Sequence, residues 1–439
     1  MKIAYITQPY PPMISGASVV VQRLSQGMAA RGHSVLVIAA SDKGHSYTTQ
    51  KGTLEVLRLA SIPNPKRANQ SFVLRSRKTI DDELKRFCPD ILHVHDIVSM
   101  GVFGLLTAQT MNTPTVTTVH ALPWIVTAYL PELPGLQKTV ETSLWKYSRW
   151  LNKQCQTMVV PTRTIAEIIE ARGGFKPIAI TNGVDLQRFN TNEILSVRRN
   201  YLCEKYRIDP LLPIILHVGR LDTDKHVEIV IKAAARAMKN SSAQLLVVGD
   251  GEHRDTLMKL AQDLGIRNRS HFPGFVTPSG DLPELYRLSS VFTTASEIET
   301  QSLVLLEAIA SGLPIVAVNA TCIPELVIQD QNGFLVAPGN INELADALTK
   351  LIRNPTLANQ MGISGRTIVR EHSLTRSFDK HEELYRRLIA NCQRLSEDQD
   401  FPKSFSNKEK SQNILHQPSG FKVRESKHRY AGPIREKHN

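Results

Sequence analysis

No stretch of the 439-residue sequence approaches the roughly 20 uninterrupted apolar residues that a membrane-spanning helix needs. The opening segment, MKIAYITQPY, has no basic stretch leading into a long apolar run and a small-residue cleavage site. It reads as a buried first strand, not a signal peptide. Cysteine is sparse, and Cys88, Cys155, Cys203, Cys322 and Cys392 form neither a CxxC nor a Cys/His cluster. Neither structural zinc nor a disulfide framework is expected, and a reducing cytoplasm is the default compartment. Acidic charge is in deficit, with 53 Lys and Arg against 41 Asp and Glu, a formal net charge of +12. That balance suits nucleotide phosphates, an anionic membrane surface or nucleic acid. No RNA- or DNA-binding motif accompanies it, so no nucleic-acid partner is expected.

Hydrophobic residues make up 41% of the chain, enough for globular cores, and the length exceeds one ordinary core. Short β-branched runs (KIAYIT, HSVLVIAA, ILHVH, PTVTTVH, MVVP, PIAIT) alternate with amphipathic segments such as Val19–Arg31. Continuous apolar strands separated by helix-length segments indicate a parallel sheet covered on both faces. The segment YRIDPLLP interrupts the pattern as a plausible hinge. The alternation then restarts with IILHVGR, the helix Val227–Lys239, AQLLVVGDG, the helix Arg254–Leu264, SHFPGFV, SVFTTA and PIVAV. The expected fold class is α/β, with two doubly wound Rossmann-like domains facing across a crevice. The expected bounds are 1–205 and 206–376, a crossover helix at 377–395, and a disordered polar tail at 396–439.

The most informative stretch, SEIETQSLVLLEAIASGLPIV, runs from a strand end into a helix and out to another strand. Glu299 falls in the entry loop with Thr300 and Gln301, the helix begins near Ser302, and Glu307 lies about five residues inside it. Backbone N–H groups of Ser302, Leu303 and Val304 are then unpaired at a helix start, which with the helix dipole makes a phosphate site. The two carboxylates can accept hydrogen bonds from sugar hydroxyls on either side of that phosphate. On the residues alone, the competing reading makes Glu299 a helix-start carboxylate and Glu307 a surface residue.

Directly after IILHV comes GRLDTDK, where Gly219 permits a close turn and Arg220 and Lys225 set two cations at a strand's carboxyl edge. The pair suits neutralisation of a diphosphate leaving group, against the alternative of two solvated surface cations. Asp222-Thr223-Asp224 spells a D-x-D, but wedged between basic residues it reads as loop surface and no metal is expected. In the first half, the turn Gly16-Ala17-Ser18 can bring N–H groups to a phosphate, although a lone glycine-rich turn is weak. His120 ends the strand TVTTV, where ligands of parallel sheets bind. His93, His95 and Asp96 resemble a metal cluster without a further ligand, and a polar lining or core role is favoured.

The ordered set resembles the GT-B glycosyltransferases, in particular the large retaining family numbered four, over roughly residues 1–392. It rests on PDILHVHD, TPTVTTVH, ITNGVDLQRF, HVGRLDTDK, VVGDG, HFPGFV, the spaced glutamates, EAIASGLPIVA and PELVIQDQNGFLV. The resemblance implies that Arg220 and Lys225 bind the donor pyrophosphate and that Glu307 holds the ribose hydroxyls. It implies that Glu299 contacts the hexose hydroxyls and that His120 lies beside the transferred sugar. The turn from Gly249 to Gly251 and the loop at Phe275 would line the nucleotide pocket. Transfer would proceed with retention from a nucleotide-diphosphate sugar, uracil being the family's commonest base, without a metal cofactor. Two departures stand out: Ala17 replaces a usual glycine, and Thr300-Gln301-Ser302 replaces Gly-Phe-Gly. The second form resembles bacterial enzymes that glycosylate diacylglycerol, and the Gln301 amide is a candidate reader of donor or acceptor hydroxyls.

The three tryptophans cluster at Trp124, Trp145 and Trp150, with Tyr129, Leu130, Leu133 and Tyr147 and with Lys138, Lys146, Arg149 and Lys153. A second basic amphipathic segment spans Phe72 to Phe87. Both suit a lipid acceptor and peripheral association with the cytoplasmic face of an anionic membrane. The alternative is ordinary helices that pack their aromatics inward. A soluble or polysaccharide acceptor is the alternative within the enzyme class, and a catalytically inactive nucleotide-sugar-binding protein the alternative outside it.

Overall fold

Strands that are apolar at every residue can be buried only in a sheet covered on both faces, and the computed structural model contains two such sheets. It describes residues 1–400 except 14, 64–70, 74–75, 121, 124–126, 128–134 and 240, with side chains through 394. The first sheet contains β1 (Lys2–Thr7), β2 (Ser34–Ala40), β3 (Tyr47–Lys51) and β4 (Leu54–Leu59). A separate pair, β5 (Ile62–Pro63) and β6 (Ser71–Phe72), interrupts it. The sheet resumes with β7 (Ile91–Val94), β8 (Thr115–Thr118), β9 (Thr157–Val160) and β10 (Ile178–Ala179), in the order β10-β9-β8-β7-β1-β2-β4-β3. The second contains β11 (Ile214–Val218), β12 (Gln244–Val248), β13 (Ser270–Gly274), β14 (Val291–Thr294), β15 (Ile315–Val318) and β16 (Gly333–Val336). Its order, β13-β12-β11-β14-β15-β16, is the doubly wound order with a switch point between β11 and β14.

Every pairing in the second sheet is parallel. The first sheet departs from the expected all-parallel pattern at one edge, where β3 runs antiparallel to β4. The mostly exposed strand YTTQK has no apolar periodicity to announce it, and Gly52 takes φ 58° in its turn.

Both sheets belong to one compact unit, Met1–Arg394. The crossover helix, Leu374–Asp400, is longer than expected, so 396–400 are helical; the rest of the expected tail lies outside the described residues. Leu384, Tyr385 and Leu388 on it pack against Ile3, Tyr5, Val21 and Leu24 of the first half. Gly27 makes the approach possible, because a Cβ there would stand 2.4 Å from the Phe378 ring. Arg31 fastens the same helix through Asp379 (2.7 Å) and Glu382 (2.9 Å). No described helix is long and apolar enough to cross a membrane.

Candidate functional site

In the C-terminal half the site grows from the carboxyl ends of β11 and β14, on either side of the switch point. Past Val218 the chain keeps pairing with its neighbour: Gly219 N–H donates to Val248 O and Leu221 N–H to Asp250 O, both at 3.0 Å. Gly249 takes φ 141°, and a Cβ on it would stand 1.8 Å from Gly219 O, so this contact admits only glycine. The 3-10 turn Thr223–Lys225 then folds Lys225 back toward the Glu299 loop. Lys225 Nζ donates to Glu299 Oε1 (2.7 Å) and Ser296 Oγ (3.3 Å), and Ser296 Oγ donates to the same carboxylate oxygen (2.9 Å). Burial opposes the charge on Lys225, but Glu299 and Asp224 outweigh it and hold its pKa above the ordinary lysine value. Arg220 pairs with Asp222 and, at 3.1 Å, with Asp224. The D-x-D carboxylates are therefore counterions of the two cations.

The helix after Glu299 spans Leu303–Ala310, with Ser302 at its N-cap and no side-chain cap bond. Its first helical bond runs from Leu306 N–H to Ser302 O, leaving the N–H groups of Leu303, Val304 and Leu305 without an intrahelical partner. Glu307 is buried, not the surface residue of the competing reading. Its Oε1 accepts from Arg23 Nη2 at 2.9 Å and its Oε2 from the Tyr286 hydroxyl at 3.4 Å. Burial raises its carboxyl pKa, and Arg23 and Tyr286 act against the rise. Phe275 is 46% exposed on the loop after β13, and Gly249 N–H donates to Gly274 O at 2.9 Å, so the two nucleotide-pocket candidates adjoin.

In the N-terminal half, parallel pairing of β7 with β8 brings His95 and His120 together just beyond their strands. His95 Nδ1 lies 2.9 Å from His120 Nε2. Burial lowers the His120 pKa to about 4, and His95 is also driven well below the ordinary value, first by burial and then by its neighbouring histidines. His93 bonds Tyr385 and Thr118 at 2.6 Å each, while Asp96 accepts from Val98 and Gly101 N–H at the start of the Ser99–Thr110 helix. His93 serves core bonding and Asp96 a helix start, while His95 turns to His120, so the three do not converge on one point.

Two sequence expectations change. Gly16 and Ala17 are not a loop: the helix starts at Gly16, three residues before Val19, under a capping box made by Ser15 and Ser18. Ala17 therefore needs no positive φ. The Gln301 amide reads no sugar hydroxyl, because it is buried and bonded to the other half. Its Nε2 donates to Pro161 O (3.2 Å) and Thr181 Oγ1 (3.0 Å), and its Oε1 accepts from Asn182 N–H (2.7 Å). Thr300 joins the same seam: Thr162 Oγ1 donates to Thr300 O (3.0 Å), and Thr300 Oγ1 donates to His120 O (3.4 Å). The unusual Thr-Gln-Ser segment is thus a strut that sets the Leu303–Ala310 helix against His120. Arg23, Thr162 and Thr181 were missed as site-shaping residues. Only the presence of Thr181 and Asn182 within ITNGVD hinted at this seam.

Of the aromatic cluster, Trp145 is buried, Trp150 is 41% exposed, and the Tyr147 hydroxyl bonds Ile97 O. Trp124, Tyr129, Leu130 and Leu133 lie outside the described residues. The second segment forms the helix Arg77–Phe87, with Ile80, Leu84 and Phe87 inward and Arg86 paired with Glu55 and Glu83.

Two doubly wound halves, with Lys225, Arg220 and a helix start at one switch point and histidines at the ends of strands in the other half, give the GT-B fold, that of a class of glycosyltransferases. The chain belongs to that family: residues 14–188 match Glycosyltransferase Family 4 and residues 202–368 match Glycosyl transferases group 1. It is 25% identical over 338 residues to an alpha-monoglucosyldiacylglycerol synthase of Streptococcus pneumoniae, covering 76% of this chain and 75% of that one. Its fold matches sucrose-phosphate synthase from Thermosynechococcus elongatus with a TM-score of 0.72 at 20% identity, over 89% of this chain and 99% of that one. An Anabaena protein solved in complex with UDP-glucose matches with a TM-score of 0.68 at 19% identity, over 90% and 100% of the two chains.

Proposed function

We propose that this glycosyltransferase moves a hexose, with retention of configuration, from a UDP-linked sugar to a hydroxyl of a membrane glycolipid precursor such as diacylglycerol. The observation that carries the transfer itself is Lys225, partly buried against Glu299 and near Arg220 through their shared partner Asp224, beside a helix start with no side-chain cap. Two cations and free N–H groups suit a leaving diphosphate, whose charge grows as the bond to the anomeric carbon breaks. The acceptor oxygen forms the new bond on the same face and passes its proton to the departing phosphate oxygen. Glu299 and His120 orient the hexose and Glu307 the ribose. The cations supply the charge stabilisation, so the reading invokes no metal.

Three observations support the lipid acceptor. The Streptococcus pneumoniae relative is named for a glucosyldiacylglycerol product. The Thr300-Gln301-Ser302 form resembles lipid-glycosylating enzymes. The helix Leu136–Asn152 exposes Lys138, Lys146, Arg149 and Trp150 together, as a protein at the cytoplasmic face of an anionic membrane would. The test measures nucleoside diphosphate release from a panel of nucleotide sugars, with diacylglycerol in anionic vesicles or with soluble sugars as acceptors. Lipid-dependent release from UDP-hexose with an α-linked product is expected, with vesicle binding lost as salt rises. Release with soluble acceptors alone sinks the lipid reading, and a β-linked product sinks retention.

A further inference from the structure

The proposed function gives His95 no part, yet its Nδ1 holds Nε2 of His120. The bond is 2.9 Å long, and the two rings lie 18° from parallel with centroids 5.2 Å apart. On its other side His95 is backed by His93, whose ring centroid is 4.1 Å away and which is itself fixed by Thr118 and Tyr385. Thr300 anchors the His120 carbonyl from the facing half. His120 thus has its backbone and one ring edge fixed, and only Nδ1 is left for a ligand.

Burial keeps both imidazoles neutral, so each carries a single N–H and only one proton can lie between them. Two arrangements satisfy the bond. Either His95 Nδ1–H donates and His120 carries its own proton on Nδ1, or His120 Nε2–H donates and His95 carries its proton on Nε2. Among the described residues, His95 Nε2 is buried with no partner. A proton there would be a buried donor with no acceptor, which proteins tolerate less well than an unfilled acceptor. The surroundings therefore select the first arrangement.

We propose that His95 is a positioning residue that donates to His120 Nε2, locking the ring so that His120 presents Nδ1–H to a hydroxyl oxygen of the donor sugar. This rests on the proposed place of His120 beside that sugar. The two ideas separate, because the tautomer is read without turnover.

The experiment is nitrogen NMR of the full chain labelled in its histidines, with the His120 signal assigned by its loss in His120→Asn. An Nδ1–H tautomer is expected in the wild type, giving way to a mixture in His95→Leu. His95→Leu should lower kcat by roughly tenfold with little change in donor affinity. His95→Asn, which keeps an N–H donor at the δ position, should restore most of that loss. An Nε2–H tautomer in the wild type overturns the proposal even if His95→Leu does not fold, as does a His95→Leu enzyme with unchanged tautomer and kcat. Full activity in His120→Asn would instead overturn the role of His120 and leave the tautomer result standing.

Discussion

On the wall built by the C-terminal half, Arg220, Lys225, Asp222, Asp224 and Glu299 form a continuous set of ion pairs. On the wall built by the N-terminal half, His93, His95 and His120 are packed ring to ring, and burial disfavours their charged forms. The contrast follows what each wall would meet. A breaking phosphate bond develops charge, and fixed ions in a partly dried site stabilise it without reorganising. Sugar hydroxyls develop little charge, and a neutral imidazole orients them without the cost of burying an ion. Removing a group from the ionic wall should therefore cost more than removing one from the neutral wall.

The largest effect is expected for Lys225→Ala. It removes a cation from the proposed diphosphate site and leaves Glu299, largely buried, without its lysine partner. A fall in kcat of about 10²- to 10³-fold is expected in a nucleoside diphosphate release assay. Chemical denaturation should show a stability loss of about 3 kcal/mol from the unpaired carboxylate. His120→Ala removes a neutral hydrogen bond, and a drop of roughly tenfold in kcat/KM is expected. If His120→Ala proved as damaging as Lys225→Ala, the histidine wall would carry charge in the transition state and the contrast would fail.

Arg23 is where the two walls meet, since it reaches from the N-terminal half to Glu307 at 2.9 Å. Burial already raises the Glu307 pKa, and the guanidinium holds the rise in check. Without it the pKa rises further, so the carboxyl takes up a proton at higher pH and cannot accept the ribose hydroxyls as an anion. In Arg23→Ala, donor KM should begin to climb at a higher pH than in the wild type as pH falls, and by about fivefold more. A donor KM that varies with pH as in the wild type would show that Glu307 needs no cation from the other half.

The same division separates what was legible in the sequence from what was not. Arg220, Lys225, Glu299, Glu307 and His120 sit at or near strand ends and helix starts, and local order along the chain places such groups. The parallel strands were legible because burial on both faces makes them apolar at every residue. The β3–β4 hairpin was not, because an exposed polar edge strand has no such pattern. Gln301 and Arg23 were misread or missed for another reason. Their partners are 119 to 140 and 284 residues away, on a surface that exists only once the halves meet. Ala17 was misjudged because Ser15 and Ser18, not the glycine, decide where the helix begins.

Asp224 gives the smallest and most discriminating effect. Its carboxylate lies 3.1 Å from Arg220 and 3.5 Å from Lys225, so it shields both cations before any diphosphate arrives. In the proposed reading a diphosphate would have to compete with it, which would keep the product from being held too tightly. Asp224→Asn removes the charge with little change in shape. UDP should then inhibit as product about threefold more strongly, with a steeper loss of inhibition as salt is added. Turnover should fall by a similar factor if release of the diphosphate limits it. Lys225→Ala weakens product binding and the chemical step together, so opposite shifts in UDP inhibition are expected from the two variants. Weaker UDP inhibition in Asp224→Asn would mean that the carboxylate orients the cations more than it shields them, and the ionic wall would then work by geometry before charge.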